Sequence, residues 1–237
     1  MTFHGGCGRS HERGREGGHE RGQEGGHGRG LTPGGALVAG LTGGIASGKS
    51  TVLRFFQDAG AVTLDADETV HQLEEPGEPV YEEIVAEFGP GFVLPDGRLD
   101  RRALGRLVFS EPSVRERLDR IVHPQVIERL KREITAARER GTPLLVVDVP
   151  LLFEVGFDKF VDRTVVVSVP ESVQLRRLME RDGLDEASAR ERLAAQWPLA
   201  EKVRRADHVI DNGGTAEETR AQVFELVRKW KAEGYWV

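Results

Sequence analysis

Gly43-Gly44-Ile45-Ala46-Ser47-Gly48-Lys49-Ser50, followed by Thr51, is the stretch on which the fold turns. It fits G-x-x-x-x-G-K-[ST] at every fixed position. Glycines at the two ends let the backbone wrap tightly, so successive N–H groups and the N-terminus of the next helix converge on phosphate oxygens. Lys49 adds a mobile cation for the β- and γ-phosphates, and the Ser50 hydroxyl can enter a Mg²⁺ shell. An ordinary glycine-rich turn between a strand and a helix is the competing reading. The flanks decide against it. The apolar run 36–41 feeds straight into the loop, and a segment carrying Val52, Phe55 and Phe56 at helical spacing leaves it. A nucleoside-triphosphate site is expected, with Gly43, Gly44, Ala46, Ser47, Gly48, Lys49, Ser50 and Thr51 around the phosphates.

Outward from the loop, short apolar runs alternate with amphipathic segments, the pattern of an α/β fold with a mainly parallel sheet. Five strands are expected, at 36–41, 61–65, 143–149, 164–169 and 208–210. Helices are expected at 49–58, 67–74, 170–181 and 216–231. A mostly helical insertion, 78–140, separates the second and third strands. It holds a Gly/Pro-rich break at 89–97, an Asp100 N-cap before a helix over 101–109, and a long helix over 112–138. Pro124 lies inside that last pattern and is expected to kink or split it near His123. The fold class is therefore an α/β P-loop NTPase, a parallel five-stranded sheet flanked by helices.

The 237 residues allow one large or two small folded units at roughly 100–200 residues each. The first 30 read differently from the rest. HERGREGG (11–18) and HERGQEGG (19–26) form an octapeptide repeat that continues into HGRG (27–30) and is almost free of apolar side chains. Such a segment buries too little to offset its ordering entropy, so 1–35 is expected to be a disordered tail and linker. Metal or RNA capture is one reading of its histidines. They stand seven or eight apart with no His-x-His pair, which favours a dispensable extension or a start codon placed too far upstream.

Lys and Arg number 33 against 39 Asp and Glu, a net charge of −6 that argues against a dedicated nucleic-acid binder. The single cysteine, Cys7, falls in the tail and cannot build a disulfide framework, which suits a reducing compartment. The most apolar stretch, 143–157, is broken by Asp148 and Glu154 and is too short for a membrane helix, and charges stand where a signal peptide would be apolar. A cytoplasmic protein, monomeric or weakly self-associating, is expected.

A phosphate loop alone does not separate a kinase from a GTPase or a motor. The chain has neither an Asn-Lys-x-Asp guanine tetrad nor a Leu-Ser-Gly-Gly-Gln transporter signature. Instead the second strand ends in Leu64-Asp65-Ala66-Asp67, delivering two carboxylates to the same rim of a parallel sheet as the loop. By position Asp65 is the better N-cap for the next helix, and Asp67 the better base for an attacking hydroxyl. The third strand ends in Asp148, which can hold Mg²⁺ through water or with Ser50. Glu154 either caps the following turn or faces the substrate. Arg177 and Arg181 stand out from an arginine group that includes Arg176, Arg190 and Arg192, as candidates to clamp a transferring phosphoryl group.

Together these residues resemble the dephospho-CoA kinases. The likeness runs through Gly43 to Thr51, Asp65-Ala66-Asp67, Glu75-Pro76-Gly77, Asp96 to Arg101 and His123-Pro124. It continues through Val149-Pro150-Leu151-Leu152-Phe153-Glu154, Arg177 to Asp182 and Asp207 to Gly213, spanning about 37–231. Ala46 stands where a glycine is often found, and as a free x position it is expected to be without consequence. The resemblance implies Mg²⁺-dependent transfer from ATP to the ribose 3′-hydroxyl of 3′-dephospho-CoA. It implies a core of 36–77 and 141–237, a helical substrate domain over 78–140 and a lid over 176–196. Asp67 becomes the base, Lys49 and Arg177 phosphate ligands, Arg181 a further ATP contact, and Asn212 with Gly213 an adenine-side loop. Asp65, His71, His123 and Glu154 fall on the acceptor side, although His123 reads equally as a residue preceding a helix kink. A nucleoside monophosphate kinase and a His-tailed nucleotide-dependent metallochaperone are the alternatives.

Overall fold

The computed structural model describes residues 35–235; the repeat tail, Cys7 and the rest of the expected linker lie outside them. Five strands form one sheet: β1 (Leu37–Gly43), β2 (Val62–Asp65), β3 (Leu144–Asp148), β4 (Arg163–Ser168) and β5 (His208–Asp211). Their order is β2-β3-β1-β4-β5, with every neighbouring pair parallel. β1 is central and buried at all of its positions. It runs on through Gly43, beyond the expected 36–41, because β4 continues to pair with it at Thr42 and Gly43.

Strand side chains alternate between two faces. Leu37, Ala39, Leu41, Leu144, Val146, Val165 and Val167 pack beneath α1 (Lys49–Asp58) and α9 (Ala216–Ala232). There Phe56 stacks on the fully buried Trp230 with centroids 6.1 Å apart. The opposite face presents Val38, Leu145, Val147 and Val166 to a second core. It is built by α2 (Ala66–Leu73) and by α3 (Pro79–Phe88), α4 (Arg101–Ser110) and α5 (Pro112–Glu139), three helices inserted between β2 and β3. Completing the chain between β4 and β5 are α6 (Glu171–Asp182), α7 (Glu186–Ala194) and α8 (Leu199–Arg205).

Local caps agree with the elements they begin. Asp100 accepts from the Ala103 amide at 2.9 Å, and Thr215 with Glu218 closes a capping box on α9. The expected split at Pro124 does not occur, for α5 is one helix across it. An interior proline costs about 3 kcal/mol. Here Val122 and Val126, on either side of it, are both buried against the core, as are Leu130, Ile134 and Ala137 beyond. Burial of those side chains, at about 1.5–3 kcal/mol each, outweighs the missing backbone hydrogen bond.

Ala46 also departs from expectation. Its φ of 57° makes it the one non-glycine residue with positive φ among those described. The position is therefore not a free one. Left-handed backbone costs an alanine about 1–2 kcal/mol, against about 0.5–1 kcal/mol for the extra freedom a glycine loses on folding. Ala46→Gly is expected to raise the urea midpoint slightly, a net gain of up to about 1 kcal/mol; a lower midpoint would show that the strain is absent.

Candidate active site

All strands deliver their C-terminal ends to one rim, where open α/β sheets place ligands. β1 ends in the phosphate loop, while β2 and β3 end in carboxylates that sit in register, Asp65 beside Asp148. The loop's back is braced by two side chains from other elements. Gln174 of α6 donates from Nε2 to the Ile45 carbonyl at 2.8 Å, and Asn212 donates from Nδ2 to the Ser47 carbonyl at 2.7 Å. Both are buried. They explain two of the glycines: a Cβ on Gly44 would collide with the Gln174 amide, and one on Gly48 with the Asn212 amide. Gly48, at φ 82°, also needs a backbone conformation that other residues resist.

Lys49 is the first residue of α1, and its ammonium is paired with the Asp148 carboxylate. Asp148 is 2 % exposed. Burial pushes its pKa up to about 6, against the pull of Lys49, with Asp65 and Asp67 adding repulsion. Asp65 behaves as the cap, its Oδ1 accepting from the Asp67 and Glu68 amides at 2.8 and 3.4 Å. That leaves the Asp67 side chain free of capping. Its pKa is raised chiefly by loss of solvation, opposed by Lys49 and reinforced by Asp65.

Two cavities meet at this rim. One, of about 520 Å³, is the phosphate cradle, lined by 43–50 with Asp67, Arg177 and Arg181. The other, of about 480 Å³, lies between the rim and α5 and is mainly apolar. Asp67, Arg115, His123 and Arg192 bring its charged or titratable side chains.

Several expected site residues lie elsewhere. Thr51, Asn212, Gly213, Asp65, His71, Asp148 and Glu154 line neither cavity. Asn212 holds the loop from behind, accepting from Thr219 Oγ1 at 3.0 Å, and its carbonyl accepts from Arg177 at 3.2 Å. His71 is exposed on the last turn of α2, where its carbonyl accepts from Arg101. Glu154 pairs with Lys202 at 2.8 Å.

The residues 37–218 match the family model described as dephospho-CoA kinase. A dephospho-CoA kinase of Geobacillus kaustophilus is 50 % identical over 196 residues, 83 % of this chain and 98 % of that protein. The chain belongs to the dephospho-CoA kinase family. The Symbiobacterium thermophilum dephospho-CoA kinase is 53 % identical over 78 % of each chain. Among solved structures, Thermus thermophilus TT1252 has a TM-score of 0.69 at 36 % identity, covering 82 % of this chain and 98 % of its own. The Campylobacter jejuni dephospho-CoA kinase has a TM-score of 0.64 at 25 % identity, covering 84 % and 98 %.

Within this kinase three residues that brace or line the site carry no clear signal in the sequence. Gln174 is one, and Gln196, at the junction of the two cavities, is another. The third is Lys202, fully buried in α8. Besides Glu154 it donates to the Pro150 carbonyl at 3.0 Å and the Gly43 carbonyl at 3.4 Å. Glu154 in turn accepts from the Trp197 amide at 3.4 Å. This buried pair ties the start of the loop to the segment joining α7 and α8, and removing one partner of such a pair costs about 3–5 kcal/mol. Only the charge pattern LAEKVRR (199–205) preceded it, which reads as a solvated helix.

Proposed function

We propose that Asp67 takes the proton of the acceptor hydroxyl while Lys49 and Arg177 hold the transferring phosphoryl group. The reaction is that of the family: ATP-dependent phosphorylation of the ribose 3′-hydroxyl of 3′-dephospho-CoA, giving CoA and ADP. The observation that carries the assignment is the position of Asp67, which lines both the phosphate cradle and the neighbouring cavity. A base must reach the hydroxyl in one and the γ-phosphate's surroundings in the other.

ATP enters the cradle, where backbone amides of 44–50 and the start of α1 meet its phosphates. The acceptor occupies the second cavity, where its anionic pyrophosphate meets Arg115 and His123, which face Asp119, and Arg192, which pairs with Asp182 at 2.6 Å and exchanges that carboxylate for the pyrophosphate. The helices α3, α4 and α5 serve as the substrate domain, and α6 with α7 as a lid that brings in arginine and keeps water from competing for the phosphoryl group.

Ser50, at the cradle, and Asp148 offer a hydroxyl and a carboxylate, the hard oxygen donors that Mg²⁺ takes alongside phosphates and water. Among the described residues no group of three metal-ligating side chains is gathered, so Ser50 and Asp148 would hold the ion only together with the phosphates and water. Mg²⁺ supplies charge neutralisation between the phosphates. Lys49 lines the cradle while paired with Asp148, and its remaining N–H donors can meet the phosphates. No helix among the described residues is long and apolar enough to cross a membrane, in keeping with small dissolved substrates.

The test is ADP release from Mg·ATP by the full chain with 3′-dephospho-CoA, AMP, CMP or no acceptor, with CoA measured directly. CoA is expected with dephospho-CoA alone. Faster turnover of a nucleoside monophosphate would transfer the chain's activity to that class.

A further inference from the structure

Phosphoryl transfer takes place where the two cavities join, and four residues line both: Ile45, Asp67, Pro150 and Gln196. Two of them have polar side chains. Asp67 has its role in the reaction proposed above, on which the present inference rests; Gln196 has none. It lies just past α7, in the segment that Lys202 and Glu154 tie to the loop through the Trp197 amide. The tie fixes the backbone on which Gln196 sits. Its Oε1 is buried and has no hydrogen-bond partner among the described residues.

An orphaned amide oxygen is costly, and the cost is relieved when the side chain turns that oxygen into the cavity it lines and a ligand there supplies the missing donor. Next to Asp67 that donor is an uncharged hydroxyl. A ribose offers two adjacent ones, and Asp67 uses only the one that attacks. We propose that Gln196 hydrogen-bonds the ribose 2′-hydroxyl of the acceptor and so determines that the 3′-hydroxyl is the one phosphorylated. The hydroxyl that donates to Oε1 keeps its own lone pairs for a further donor. The site thereby reads a cis-diol through one carboxylate and one amide. In the transfer itself the 3′-oxygen bonds to the γ-phosphorus, the bond to the ADP oxygen breaks, and the proton passes to Asp67.

The experiment compares the full-length wild type and Gln196→Ala on 3′-dephospho-CoA and on its 2′-deoxy analogue, with products separated into 2′- and 3′-phosphates. Wild type is expected to lose about tenfold in kcat/KM on the deoxy analogue. Gln196→Ala should lose about as much on the natural acceptor, lose nothing further on the analogue, and release a measurable fraction of 2′-phosphate. A variant that is merely misfolded or badly docked would lose activity on both acceptors, keep the wild-type penalty for the deoxy analogue and keep making only the 3′-phosphate. That pattern overturns the inference, as does a wild type indifferent to the 2′-hydroxyl. Failure of the wild type to make CoA at all would instead strike at the reaction itself. Gln196→Glu, which keeps the acceptor oxygen and the side-chain length, should restore regiochemistry.

Discussion

Lys49→Ala is expected to lower kcat by about 10³-fold or more, with the protein still folded by circular dichroism. Donors aimed at developing charge in a water-poor site contribute about 10²–10³ each, and here the donor is a full cation at the head of α1. The backbone cradle, braced by Gln174 and Asn212, stays in place, so nucleotide binding weakens less than turnover falls. The substitution has a second effect. It leaves Asp148 buried without its partner, so the carboxyl pKa should rise further above about 6, visible as a shifted titration of that group. Turnover within tenfold of wild type would refute the cradle as the donor site.

Asp67→Asn should cost about 10²–10⁴ in kcat with ATP affinity within about twofold of wild type. The amide preserves shape and the capping by Asp65 but cannot accept the proton. The sign of the pH dependence follows from the raised pKa of Asp67 and that of about 6 at Asp148. Both groups work as carboxylates, so wild-type kcat/KM should be full above neutrality and fall as pH drops through about 6. Stability moves the other way for Asp148: its folded pKa lies above the ordinary 3.8, so its ionisation opposes folding as pH rises between those values. Activity and this part of the stability therefore respond to acid in opposite directions. If Asp67→Asn keeps both kcat and the acid limb, the base lies elsewhere. Asp65 is a poor substitute, since its Oδ1 is committed to two amides.

Much of this is legible in the sequence because local rules and the global fold agree. The loop octet, the strands that end in Asp65 and Asp148, and the caps at Asp65 and Asp100 are each determined within a few residues. What could not be read depends on distance in the chain. Lys202 lies in a segment whose neighbours are charged, and its burial arises because α8 packs beneath Gly43 and Pro150. Gln174 and Asn212 matter through carbonyls of the loop far away in sequence. Pro124 reads as a kink or a split by propensity, and the packing on either side of it keeps α5 one helix. Glu154 reads as a turn cap or a substrate-facing group, and the fold adds a pairing with Lys202 that the sequence does not show.

The placement of β1 has a consequence for how the chain is made. Its partners are distant: Leu37 pairs with Leu144, and Gly43 with Val167. At about 5–20 residues per second, synthesis of the inserted helices leaves β1 outside the ribosome for on the order of ten seconds before either neighbour exists. Throughout that interval a strand that is buried at every position in the finished fold, with both edges open, is available to other nascent chains. The helices that separate β1 from β3 meanwhile have mostly local contacts and can form early. Nucleotide binding must then come last, since the loop has no fixed shape until β3 and β4 have closed around the strand that carries it. A pulse-labelled chain should thus acquire protease resistance in α5 before it acquires any affinity for ATP.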